Sequence, residues 1–455
     1  MHPDNFDKYK TLREQYPVFI YESYDISQDA DQTVLKWKFQ MGDDLIFNPG
    51  ITIPHRGNFV TENLSVEKLH NLVFNIGLIE LISYWKAACP TKIIIRPHAM
   101  DDWQVNWWKK LYFRGLGEFF YRNGIQANQD SFVEIVTEGP VIPAEKNFIS
   151  NSSVLVPVGG GKDSAVTLEI LKRKFQVIPF AMNPRNAIWD TITNSGIGKE
   201  DAFIMHRSLD PLLLELNEKG FLNGHTPFSA LIAFTSMLAA TMTGSRHVAL
   251  SNESSANEST VMGSHINHQY SKSIEFESDF REYSRRYLTR DFVYFSFLRP
   301  LSELQIIKLF TTFPQHYLSF RSCNVGSKTD TWCCSCPKCL FAYIMLSAFM
   351  GKEELMKIFG EDLYKNEALI PVLDELTGRA PEKPFECVGT VDEVNLALVA
   401  SLSGAGTNPP ALLAYYRASG QYSKYRDIPL EDHLNRLDDK HYLSDEYMAL
   451  LKSSL

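Results

Sequence analysis

Three stretches of this chain concentrate side chains that could do chemistry. The first is Gly159-Gly-Gly-Lys-Asp-Ser164. Its glycines let backbone amides approach a ligand closely and take positive φ angles. Lys162 adds a cation, Asp163 a carboxylate and Ser164 a hydroxyl. The second is Cys323, Cys333, Cys336 and Cys339, spaced C-x9-C-x2-C-x2-C. Four thiolates at such spacing close around one tetrahedral zinc, which would fasten a loop rather than react. An iron–sulfur cluster takes the same ligands; buried free thiols are the plain alternative, which five cysteines so close together disfavour. Cys334 is left over, as a substitute ligand or a free thiol. Cys89 and Cys387 stand apart and read as small buried apolar residues. The third stretch is His265-Ile-Asn-His268-Gln-Tyr270-Ser-Lys272-Ser-Ile-Glu275-Phe-Glu277, just downstream of Asn252-Glu253. Each of its residues alone reads as solvated. The density of proton carriers makes the run a candidate substrate site.

The elements around the glycines narrow their chemistry. Val154–Val158 is a short apolar run, and Ala165–Lys174 has a helical composition. Strand, glycine turn and helix N-terminus in that order leave unpaired amides and a partial positive charge, which suit a phosphate. A Walker A loop is excluded, because Asp163 follows Lys162. A dinucleotide fingerprint is excluded, because its third glycine is missing. The segment resembles the pyrophosphate (PP) loop of the ATP pyrophosphatases, S-G-G-x-D-S, with Gly159 in place of the serine. That exchange removes one hydroxyl and keeps the amides. On this resemblance Gly159, Gly160, Gly161, Lys162, Asp163 and Ser164 would hold ATP, and Asp163 would hold Mg²⁺.

With 455 residues, two or three domains are expected. A net charge of −9 argues against a general nucleic-acid binder. The longest apolar runs, such as Ala230–Ala240, fall short of the ~20 residues of a bilayer span. Met1–Lys8 has no apolar signal core. A cytoplasmic location without a membrane partner follows, and there a cysteine cluster favours metal over disulfides. Residues 1–145 read as an α+β domain. A small antiparallel sheet is predicted over Phe19–Tyr24, Thr33–Gln40 and Asp44–Phe47, with a helix from Ser65, a strand at Lys92–Arg96 and an aromatic helix over Trp103–Asn123. Residues 146–345 alternate strand and helix. Val177–Met182, Ala202–His206 and His247–Leu250 are strands, and a long helix runs to Thr241 with Thr226 as its cap. This is the α/β pattern of a doubly wound parallel sheet. Ligands of such sheets sit at the carboxyl ends of strands near the switch point. Here those ends carry Gly159–Ser164, Asn183, and Ser251 to Glu253, so Asn183, Asn252 and Glu253 join the candidate nucleotide site. Residues 346–455 read as helical.

Six segments carry a more specific resemblance. They are Gly115–Gly124, Pro157–Ser164, Leu222–Pro227, Ser251–Glu253, Asn267–Lys272 and Cys336–Cys339. Together they resemble the UDP-N-acetylmuramoyl-L-alanyl-L-glutamate epimerase family. The resemblance implies a PP-loop pyrophosphatase-like fold and a role in peptidoglycan precursor synthesis. It implies inversion of the terminal L-glutamate of UDP-MurNAc-L-Ala-L-Glu with ATP and Mg²⁺, giving AMP and pyrophosphate through an acyl adenylate. His268 and Lys272 are the first candidates for the two bases, with Tyr270 and His225 behind them; Glu253 is expected to hold Mg²⁺ or the ribose. Other adenylating enzymes, acting on nucleobases or tRNA or forming amides, share the loop and cysteine motifs. A non-enzymatic nucleotide and zinc module, and a cofactor-free racemase with two cysteines, are the remaining alternatives. The Asn267–Lys272 run favours the epimerase.

Overall fold

The computed structural model describes residues 5–55, 64–142, 151–261, 264, 266–289 and 291–455. His265 and the expected boundary at 145/146 lie outside them. Eleven strands are described: β1 (Val18–Gln28), β2 (Gln32–Met41), β3 (Leu45–Phe47), β4 (Gly50–Pro54), β5 (Lys92–Ile95), β6 (Glu134–Thr137), β7 (Asn151–Pro157), β8 (Val177–Met182), β9 (Phe203–Ser208), β10 (Ser245–Leu250) and β11 (Val293–Ser296). They form one sheet in the order β11-β10-β7-β8-β9-β4-β2-β1-β5-β6, with β3 added on β2.

Strands β7 to β11 pair in parallel throughout. From β7 the chain winds outward to β8 and β9, then returns to lay β10 on the other side of β7. The winding therefore reverses between β7 and β10, which opens a crevice beyond their carboxyl ends. Successive side chains alternate between two cores, as the period of a strand requires. Val154, Val156 and Ile204 enter one, with Leu168 and Ile170 of the helix Lys162–Leu171. Leu155, Ile178 and Met205 enter the other, with Phe234 and Met237 of the helix Phe228–Thr243. Both faces are thus covered.

The predicted N-terminal sheet is real but not separate. β1, β2 and β4 are antiparallel, β5 and β6 extend the sheet in parallel beyond β1, and β4 pairs with β9 through Gly50–Ser208, Ile51–Arg207 and Thr52–His206. Joining two edges pairs amides and carbonyls that would otherwise be exposed. The short strands β4, β6 and β11 carry too few residues for a readable alternation. Ser65 caps the helix Val66–Trp85 as expected, accepting from the Lys68 amide. Thr226 does not cap the helix Phe228–Thr243. Pro227 holds that position without a side-chain bond, pressed close to Gly115, where a Cβ would lie 2.7 Å from its ring. Beyond residue 346 the described elements are all helical, and they share the core of Val154 and Leu168. Among the described residues no helix is long and apolar enough to cross a membrane.

Candidate active site

The glycine loop lies at the switch point. Gly160 has φ +79°, and a Cβ there would sit 3.0 Å from the Ile188 amide nitrogen. Only glycine fits that close approach. Gly161 caps the helix Lys162–Leu171, so the amides of its first turn have no helical acceptors and suit an anion. The Ser164 hydroxyl donates to the Gly161 carbonyl at 3.0 Å. Lys162 is buried between two carboxylates, Glu303 at 2.5 Å and Asp163 at 2.6 Å. Burial alone would lower its pKa; the two acids outweigh that and raise it. Burial pushes Glu303 up to about 8. Glu303 was not foreseen, although the capping box of Ser302 and Gln305 that sets it in the first turn of a helix is legible in Ser302-Glu-Leu-Gln305.

The neighbouring strand ends divide. Asn183, at φ +48°, spends its side chain on the Arg207 backbone, 2.8 Å to the amide and 2.9 Å to the carbonyl. It ties β8 to β9. Asn252 donates to Ser296 at 3.0 Å, tying β10 to β11. Glu253 is buried and aims inward. Burial raises its pKa, and it feels the charges of Lys272, Asp163 and Lys162. Arg299, fully buried, ties Glu253 to the histidine run: its guanidinium donates to the Glu253 carbonyl at 2.6 Å and to the Lys272 carbonyl, and pairs with Glu277 at 3.1 Å.

The histidine run folds into a tight turn. The His268 amide donates to the Thr260 hydroxyl at 3.0 Å, and Asn267 donates to the Ala256 carbonyl at 2.9 Å. His268 Nδ1 then meets Glu118 Oε2 at 2.5 Å, and His225 Nδ1 lies 3.6 Å from the same oxygen. The two imidazole rings are 4.4 Å apart. Glu118 comes from the helix Gly117–Arg122 and His225 from the loop before Phe228. The three donor atoms lie within 4.8 Å of one another, a spacing that the carboxylate–imidazolium pair accounts for.

Lys272 turns to a residue the sequence did not single out. Its Nζ is 3.3 Å from Cys387 Sγ, and His268 lies close enough to this sulfur for each to shift the other's ionisation. Nothing in the sequence near Cys387 signals this, because Lys272 lies 115 positions away. Burial opposes ionisation of the thiol; Lys272, Lys338 and His268 together hold it well below the usual range. Burial likewise opposes charge on His268, but Cys387 and Glu118 raise it to about 9. His225 is pushed down to about 4 by burial and by the His268 charge. These neighbours favour the charged form of His268, the neutral form of His225 and the thiolate form of Cys387. Tyr270 stands apart: it packs on Phe276, and burial, then Asp279 and Glu275, raise its phenol. A pocket of about 500 Å³ adjoins the cluster, lined by Phe113, Arg114, Gly117, Phe120, Tyr121 and Ile266. The buried Arg114 Nε in its wall has no hydrogen-bond partner among the described residues.

Cys323, Cys333, Cys336 and Cys339 converge. Cys323–Cys336 is 3.8 Å, Cys333–Cys339 3.7 Å and Cys336–Cys339 3.5 Å between sulfurs. A tetrahedron with metal–sulfur bonds of about 2.3 Å has edges of about 3.8 Å. The four could hold a metal ion. Cys334 points away, to the Phe359 carbonyl. The knot touches both halves of the site. Arg321 donates its amide to the Gly160 carbonyl at 2.8 Å, and Asn324 donates to Glu386, beside Cys387.

Comparison with known proteins places the chain in a family. The MurL N-terminal domain family matches residues 10–297, and the MurL C-terminal domain family matches residues 319–419. Three curated relatives are each called UDP-N-acetyl-alpha-D-muramoyl-L-alanyl-L-glutamate epimerase. The one from a Micromonospora species is 34% identical over 84% of this chain and 86% of its own length. Those from Salinispora tropica and Xanthomonas oryzae pv. oryzae are 33% and 32% identical, over 85% and 88% of each chain. No solved structure matches. The two family matches span both the glycine loop and the segment that brings Cys387, and this chain belongs to the MurL family.

Proposed function

We propose that this chain inverts the terminal glutamate of UDP-MurNAc-L-Ala-L-Glu, with ATP as the activating co-substrate. One observation carries the reading: a phosphate-suited loop at a sheet switch point lies beside a buried acid–base cluster, and Arg299 ties the two by donating to the carbonyls of Glu253 and Lys272. The names of the curated relatives support it.

The chemistry needs both parts. The α-proton beside a carboxylate resists removal, because the enolate would carry two negative charges. Joining that carboxylate to AMP removes one of them and acidifies the proton, which a positioned base then takes. The amides of Gly160–Ser164, with Lys162, would receive the β,γ-phosphates in the manner of a PP loop. Asp163, with Glu253 and Glu303 nearby, would hold Mg²⁺. Zn²⁺ is the ion we assign to the four thiolates, as a closed structural site. The pocket beside Glu118 would take part of the sugar nucleotide. We assign the reaction to the cytoplasm, in peptidoglycan precursor synthesis.

The test is incubation with UDP-MurNAc-L-Ala-L-Glu and Mg²⁺, with and without ATP, followed by hydrolysis and chiral analysis. D-glutamate should form only with ATP, alongside AMP and pyrophosphate. Inversion without ATP would sink the adenylate. AMP formation without inversion would point to another adenylating enzyme.

A further inference from the structure

We propose that the Cys387 sulfur and the His225 imidazole are the two proton-transfer groups of the inversion, joined by Glu118 and His268 into one proton path. This rests on the epimerase reading above. Inversion needs a proton carrier on each face of Cα. Lys272 Nζ and Cys387 Sγ are 3.3 Å apart, too close to hold a carbon between them, so they serve the same face. That separates the pair from the second carrier, which must come from elsewhere in the cluster. His225 stands at the far end of a chain of contacts: 3.6 Å to Glu118, then 2.5 Å from Glu118 to His268, which lies close enough to Cys387 for each to shift the other's ionisation. Cys387 is only partly buried, so a substrate can reach it. Its segment is pinned across the site: Lys383 pairs with Glu258 and donates to the Gly389 carbonyl at 2.9 Å, and Glu382 bridges Val261.

The charge states fit these roles. His225, depressed to about 4 by burial, is neutral and free to accept. Protons for the other face already sit on His268 and Lys272, both against the sulfur. In the reaction the Cα–H bond breaks, its proton goes to His225, and its electron pair stays as the enolate of the activated acyl group. Cys387, protonated by His268, gives that proton to the opposite face and returns to thiolate. The proton on His225 then passes through Glu118 to refill His268. No net proton is gained or lost, and water releases AMP afterwards.

The experiment uses the full chain with ATP and UDP-MurNAc-L-Ala-L-Glu in D₂O. It follows ATP–pyrophosphate exchange, glutamate Cα deuteration and inversion separately. C387S and C387A should lose inversion by about 100-fold or more, yet keep substrate-dependent ATP–pyrophosphate exchange within about threefold. C387S should still exchange the L-Cα proton without inverting it, because His225 is intact. H225Q should lose both that exchange and inversion. Alkylation of Cys387 in the unmodified chain should match the C387A result, which covers a variant that fails to fold. Inversion within tenfold of the parent chain in either cysteine variant would overturn the proposal. So would joint loss of ATP–pyrophosphate exchange, which marks a scaffold role, or an acyl-enzyme on Cys387, which marks a nucleophile. Absence of ATP–pyrophosphate exchange in the parent chain would instead sink the adenylate reading and leave the proton path to be judged on inversion.

Discussion

His268 is charged at neutral pH because two anions face it, Glu118 on one ring nitrogen and the Cys387 sulfur beside it. Its folded pKa, about 9, lies above its ordinary 6.5. A raised cation contributes stability that is fully present below the unfolded pKa and is lost as pH rises through the folded one. The contribution of His268 should therefore be whole below about pH 6.5 and fade by about pH 9. Urea midpoints of the parent chain and H268Q should differ most at pH 6 and converge by pH 9.5; a gap that widens with pH would contradict the charge pairing. At this scale the sequence was readable in part. The glycine loop, His268, Lys272 and His225 announce themselves by type and spacing. Glu118 lay within a quoted run and Cys387 looked inert, because a side chain's role there depends on neighbours far along the chain.

The cysteine knot is the element on which the two halves of the site both lean. Through Arg321 it holds Gly160, and through Asn324 it holds the segment of Cys387. Its effect on chemistry is therefore positional. C336S, or a strong thiol-competing chelator, should release one metal ion per chain, lower thermal stability and reduce inversion by tenfold or more. Metal content by plasma mass spectrometry and thermal melting read the two together. Unchanged activity after complete metal loss would mean the knot does not position the site. The four thiolates were legible because C-x2-C spacing is local. Their reach to Gly160 and Glu386 was not, since it is set by packing.

Across the whole molecule, the β4–β9 pairing makes one sheet of two expected ones, and a buried ion pair locks the seam. Arg207 of β9 donates to both oxygens of Glu80 at 2.8 Å, and Glu80 is 1% exposed. Burial alone would lower the guanidinium pKa; the carboxylate outweighs it. Removing the acid leaves an uncompensated buried charge, which costs about 3–5 kcal/mol. E80A should lower the unfolding free energy by about that amount in denaturant titration, where a loss below ~1 kcal/mol would show the seam to be solvated. E80Q should cost less, because one acceptor remains.

The sequence alone determined what is local: the strand–glycine–helix order, the parallel α/β alternation, the thiolate spacing and the segments that resemble a family. These depend on backbone propensity and on short-range patterns that survive in one dimension. Tertiary structure decided which charges meet. It joined the two sheets at β4 and β9, and it drew Glu118, His225, His268, Lys272 and Cys387 into one cluster from four separate stretches of chain. The protonation of such groups is set by burial and by partners a few ångströms away, and sequence spacing carries no record of either.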